Sequence, residues 1–109
     1  MAHIKVGTFT QAATAVAYNV ECGFAPDRVK IVNLTDGDYE EWYKGMTDGH
    51  GIISQAGTAN QLVRTAVTVN GITPSGDAAT DTFKGFTFGL NTGINIASKV
   101  YYWEAIIQD

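Results

Sequence analysis

The feature that most constrains this chain is a two-residue rhythm of apolar and polar side chains, broken every eight to twelve positions or so by Gly, Pro, Asn and Asp. A strand sends successive side chains to opposite faces, so Val29 and Ile31 alternating with Arg28 and Lys30 mark Arg28 to Leu34 as a half-buried strand. The same rhythm predicts strands at Ile4 to Phe9, Thr14 to Cys22, Gly51 to Gln55, Leu62 to Val69, Phe83 to Leu90 and Lys99 to Gln108. Asp36-Gly37-Asp38 supplies a turn, after which Tyr39 to Met46 is the return arm of a hairpin. Asn70-Gly71, Pro74-Ser75-Gly76-Asp77 and Asn91-Thr92-Gly93 are turn segments between strands. Pro26 fixes its own φ at roughly −65° and bends the chain between Gly23 and Asp27. The fold class is therefore all-β, an antiparallel sandwich or barrel of about eight short strands. The Ala-rich stretch from Gln11 to Glu21 also carries helical propensity, but Val16, Tyr18, Val20 and Cys22 fall on one face at period two.

A length of 109 residues fits one domain over 1–109, with residues 1–5 read as a flexible arm. Apolar residues at 45% against charged residues at 17% place the chain among compact globular proteins rather than disordered ones. Acidic residues outnumber basic ones by 11 to 7, and Lys and Arg form no cluster, so a phosphate backbone has nothing to follow and no nucleic acid is expected as a partner. No apolar run approaches the roughly 18 residues of a membrane span, and the start lacks the apolar core of a secretory signal. The expectation is a chain made in the cytoplasm with no membrane partner.

Candidate chemistry is sparse. Cys22 is the single cysteine, which excludes an internal disulfide and a cysteine zinc site. A thiolate pair of Cys22 with His50 is the one nucleophilic arrangement available, and a lone cysteine on the apolar face of a strand is ordinarily a small core residue. Asp36, Asp38 and Glu40 have the spacing of the first ligands of a calcium loop. The pattern then fails, because Glu41 and Thr47 stand where that loop needs Gly and Glu, and a solvated acidic turn is the simpler account. Glu40 and Glu41 are adjacent on a strand and so point to opposite faces, which denies them a paired-carboxylate role. No catalytic residue, cofactor or metal is assigned.

Aromatic residues carry the stronger signal. Tyr101, Trp103, Ala105 and Ile107 share one face of the last strand and Tyr102, Glu104 and Ile106 the other, so both faces carry bulk. Either a second layer or another subunit covers the outer side, or this is a central strand under a loop. Tyr39, Trp42 and Tyr43 form the candidate partner interface, in competition with a hairpin that folds these rings back over the core.

The order of short motifs along the chain adds an independent indication. Gly7-Thr8-Phe9-Thr10, Gly23-Phe24-Ala25-Pro26 leading to Val29, Asn33 to Gly37, Trp42 to Met46, Gly71-Ile72-Thr73-Pro74, Gly85-Phe86-Thr87-Phe88-Gly89 and Tyr101-Tyr102-Trp103-Glu104-Ala105 together resemble the small β-rich structural proteins of tailed-bacteriophage virions, of the head decoration or cement kind. The resemblance spans nearly the whole chain and rests on the order of motifs that are individually weak. It implies a non-enzymatic protein on the outer surface of the capsid that docks on the major capsid protein and stabilises the lattice, as a homo-oligomer with a trimer preferred. The alternative it leaves open is a tail-fibre or receptor-binding module, in which Tyr39, Trp42 and Tyr43 stack on a host-surface glycan. It transfers no site residue.

Overall fold

The computed structural model describes residues 3–56 and 61–108, and every regular element among them is a strand. The strands are β1 (His3–Thr10), β2 (Tyr18–Glu21), β3 (Arg28–Asn33), β4 (Tyr39–Tyr43), β5 (His50–Ala56), β6 (Leu62–Ser75), β7 (Gly85–Phe88) and β8 (Val100–Ile107). All pair antiparallel in a single sheet of order β1-β8-β3-β4-β5-β6-β7-β2. In that order β7 and β8 are five places apart. Yet Phe86 packs edge-on against Trp103 at 5.8 Å between ring centres, and Phe88 packs edge-on against Tyr101 at 5.3 Å. The sheet therefore curls over on itself into a half-barrel, with these rings facing each other across its interior.

The two outermost strands, β1 and β2, close the curl without a hydrogen-bond ladder among the described residues. Side chains bridge them instead. Phe9 of β1 stacks on Tyr18 of β2 with ring centres 3.9 Å apart, and Trp103 lies against Gly7, where a Cβ would collide with its indole. The inner face is the core: Val29, Ile31, Trp42, Ile53, Val67, Ile72, Phe86, Phe88, Tyr101 and Ala105 are buried. Each Val, Ile and Phe among them contributes on the order of 1.5–3 kcal/mol on leaving water.

The segment after β7 seals one end. Ile94 is fully buried, Tyr101 donates its hydroxyl hydrogen to the Ile94 carbonyl at 2.6 Å, and Gln55 donates to the Gly93 carbonyl at 2.5 Å. Asn95 donates to the Val16 and Gly89 carbonyls and accepts from Gln11, whose side-chain amide also reaches Val16. These bonds explain why the predicted Thr14 to Cys22 strand is only Tyr18–Glu21. The Val16 carbonyl is satisfied by amide side chains at 2.9 and 3.0 Å, so 14–17 cross the end of the sheet instead of joining it.

Three other expectations change in detail. Asn70-Gly71 lies inside β6, where the partner of β5 jumps from Val67 to Ile72 between Gly51 and His50. The turn residues are spent on a bulge, with Asn70 at φ 55 and Gly71 pressed against the His50 and Gly49 carbonyls. β4 stops at Tyr43, since Gly45 at φ 106 turns the chain before Met46. Of the expected arm 1–5, His3, Ile4 and Lys5 are instead paired with Ile107, Ile106 and Ala105 in β1, and Met1 and Ala2 lie outside the described residues. The outer part of β6, Leu62 to Ala66, is exposed and pairs with β5 alone, and past Ser54, the last β5 residue paired with β4, the two strands continue as a short two-stranded ribbon.

A Cβ at Gly85 would fall on the Val20 carbonyl oxygen, at the end of the short β2–β7 ladder. Gly85→Ala is expected to destabilise the protein by roughly 2 kcal/mol or more, measured by denaturant unfolding, by forcing β2 off the sheet.

Candidate functional site

Alternation along β4 sorts the aromatic cluster. Glu40 and Trp42 point into the half-barrel and are buried, whereas Tyr39, Glu41 and Tyr43 lie on the outer face and are half-buried. Trp42 belongs to the core and donates its indole N–H towards the Thr47 carbonyl at 3.4 Å. As a candidate partner contact it is corrected: the ring folds back over the interior because its neighbours on the same face, Val29 across β3 among them, form the apolar core. Only Tyr39 and Tyr43 of the three face outward.

The outer face around them is a charged and aromatic lattice. Glu104 of β8, Lys30 of β3 and Glu41 of β4 are directly opposite one another in the register, so the signs alternate across three strands. Arg64 of β6 extends the row, its guanidinium 3.5 Å from the Glu41 carboxylate. The Lys30 ammonium sits 4.6 Å from the centre of the Tyr39 ring, and the Arg28 guanidinium 5.8 Å from that of Tyr43. Tyr102 donates to Glu104 at 3.2 Å, and the Tyr43 hydroxyl donates to Glu41. Ile4 and Val6 of β1, with Ile106 of β8, border this lattice with apolar side chains. The arrangement holds aromatic rings and charges in fixed positions on a broad surface, which suits contact with another surface.

The remaining sequence candidates are dispersed. Asp36 accepts from the Asn33 side chain at 3.0 Å and lies 3.4 Å from Lys99, and Asp38 accepts from the Ala56 N–H at 3.4 Å. Glu40 points to the opposite side, so the three carboxylates do not converge, and the described residues contain no cluster of three metal-ligating side chains. Cys22 donates to the Phe24 carbonyl at 3.2 Å, and burial pushes its thiol pKa up, away from a reactive thiolate. His50 lies on β5, three strands from the β2 end that carries Cys22. An open cleft of about 540 Å³ runs along the seam between β1 and β2, lined by Gly7, Tyr18, Val20, Glu21, Phe83 and Trp103 among others.

Glu40 is the residue that sequence reasoning placed wrongly. Read as part of a solvated acidic turn, it is in fact fully buried, neither carboxylate oxygen has a partner, and burial pushes its pKa up to about 8. The signal was present: with Trp42 inward, a strand must send Glu40 inward too.

The Tyr43 phenol has its pKa raised, first by the hydrogen bond it donates to Glu41 and then by burial, because ionising it would set two negative charges together. In Glu41→Gln the phenol is expected to ionise at lower pH than in the wild type, followed by ultraviolet difference spectroscopy. Folding stability should change by no more than about 1 kcal/mol, since the Arg64 partner is half-exposed. No family model matches the chain, and no curated protein or solved structure matches it either.

Proposed function

We propose that the protein is a non-enzymatic structural component of a tailed-phage virion, a decoration or cement protein that docks on the major capsid protein at the outer surface of the head. The observation that carries this reading is the distribution of exposed apolar side chains. Ile4 and Val6, 64% and 56% exposed, lie on the open edge strand, Leu62 and Val63, at 58% and 45%, lie on the ribbon, and Val69, at 65%, stands beside the β6 bulge. Exposed apolar surface on extended elements is what a protein needs to spread over neighbouring subunits by contact. The ordered motifs similar to virion proteins supply the class of partner. A ligand that binds only the assembled lattice stabilises it by mass action, without chemistry. Association as a homotrimer accompanies this reading, and closed cyclic symmetry suits a lattice axis.

The glycan-binding alternative loses part of its support, since it leaned on three rings and Trp42 is buried in the core. Tyr39 and Tyr43 remain on the outer face and serve either reading, so one pair of measurements separates them. The purified protein is expected to bind undecorated mature capsids of its own phage with saturable stoichiometry and to raise their melting temperature. The Tyr39→Ala, Tyr43→Ala double variant, with its fold verified by circular dichroism, should bind at least about tenfold more weakly. Absence of capsid binding together with signals on a glycan array would replace the decoration reading with the receptor module.

A further inference from the structure

Among the described residues, the buried side-chain polar atoms that lack a hydrogen-bond partner are the two carboxylate oxygens of Glu40 and the hydroxyl of Ser54. Both residues lie on the same joint. β4 meets β5 through only three residue pairs, Tyr39 with Ser54, Glu40 with Ile53 and Glu41 with Ile52, whereas β3 and β4 share five and β5 and β6 share seven. The shortest ladder of the sheet thus holds its unsatisfied buried side chains. Gly51 makes room for the carboxylate: a Cβ there would stand 2.9 Å from the nearer Glu40 oxygen.

We propose that the β4–β5 joint is a proton-locked hinge: with Glu40 protonated the half-barrel is held shut, and loss of that proton releases β5, and with it the β5–β6 ribbon, from β4. A neutral carboxyl is tolerated among Ile31, Ile53 and Gly51, but a carboxylate there has no counter-charge and no donor. The groups facing it are not ionic. From β3 the inner face presents Val29, Ile31 and Asn33, from β5 Gly51, Ile53 and Gln55, and on β4 itself Trp42. The charged neighbours Lys30 and Glu41 occupy the outer face, half-buried His50 precedes Gly51, and the inner-face His3 and Lys5 are on β1, three strands from β4. Opening at β4–β5 separates the ladder β1-β8-β3-β4 from the ladder β5-β6-β7-β2, which stay joined through the rings that pack across the interior.

The sign follows from linkage. The folded state keeps a proton on Glu40 that the unfolded chain, with an ordinary carboxyl of 4.5, releases, so stability is full below about 4.5 and erodes as pH rises towards about 8. The other groups with raised pKa are a cysteine and tyrosines, which start from 9.0 and 10.0 and act above that window, and Asp81, which is lowered, acts below it.

The test is hydrogen exchange followed by mass spectrometry from about pH 5 to pH 9, corrected for intrinsic exchange, with thermal melts alongside. Protection of peptides covering 39–56 is expected to fall about tenfold or more ahead of those covering β8 and β3, and the melting temperature to drop over the same range. In Glu40→Gln, which cannot ionise, the pH dependence of both should vanish. Uniform exchange across the sheet, or an identical pH dependence in Glu40→Gln, would overturn the hinge. Should that variant fail to fold, a carbon-13 titration of the wild-type Glu40 carboxyl decides: a midpoint well above the ordinary carboxylate range supports the lock, and one within it ends the proposal. None of these readouts involves capsids, so the hinge and the virion reading stand or fall separately.

Discussion

The rest of the architecture depends on a curl that is held by rings. An open antiparallel sheet of eight strands has two free edges, and here those edges approach each other without sharing a ladder among the described residues. Phe9 stacked on Tyr18, Phe86 against Trp103 and Phe88 against Tyr101 supply the cohesion across the gap. Phe9 also lies on Tyr101, at 5.2 Å, so one aromatic array ties β1, β2, β7 and β8 together. Gly7 is part of the same device, because its missing Cβ is the space that the Trp103 indole occupies.

Polar groups do the complementary work at the ends. The amides of Gln11 and Asn95 are buried and mutually bonded, and they fasten the 11–17 crossing to the segment that plugs the half-barrel. Asn33 does likewise for the turn after β3, accepting from the Thr35 and Asp36 N–H groups while donating to the Asp36 carboxylate. Against these satisfied networks the bare Glu40 carboxyl is an exception, and its position beside the outward tyrosines couples the interior to the surface through one strand.

Legibility in the sequence followed the strength of the local pattern. Arg28 to Leu34 is readable within a residue or so because Val29 and Ile31 alternate with Arg28 and Lys30, and Lys99 to Gln108 is readable from its run of aromatic and β-branched residues although both its faces carry bulk. Thr14 to Cys22 was overread, since the competitor for its backbone was a pair of amide side chains, one of them some eighty residues away, that periodicity cannot reveal. Asn70-Gly71 was legible as a kink but not as a bulge, because the same residues serve both and only the pairing partner distinguishes them. The aromatic cluster of β4 hid its division between two faces behind two adjacent glutamates, one of which is buried against expectation.

His3 pairs with Ile107 at one corner of the sheet. Following the alternating strand directions, β5 runs the same way as β1 and climbs from that pole, so Ala56 and its partner Leu62 lie towards the other pole. Tethers attached at His3 and at Ile107 would thus leave from one corner, remote from the Ala56–Leu62 end. A handle grafted there would leave the exposed Leu62 and Val63 unobstructed.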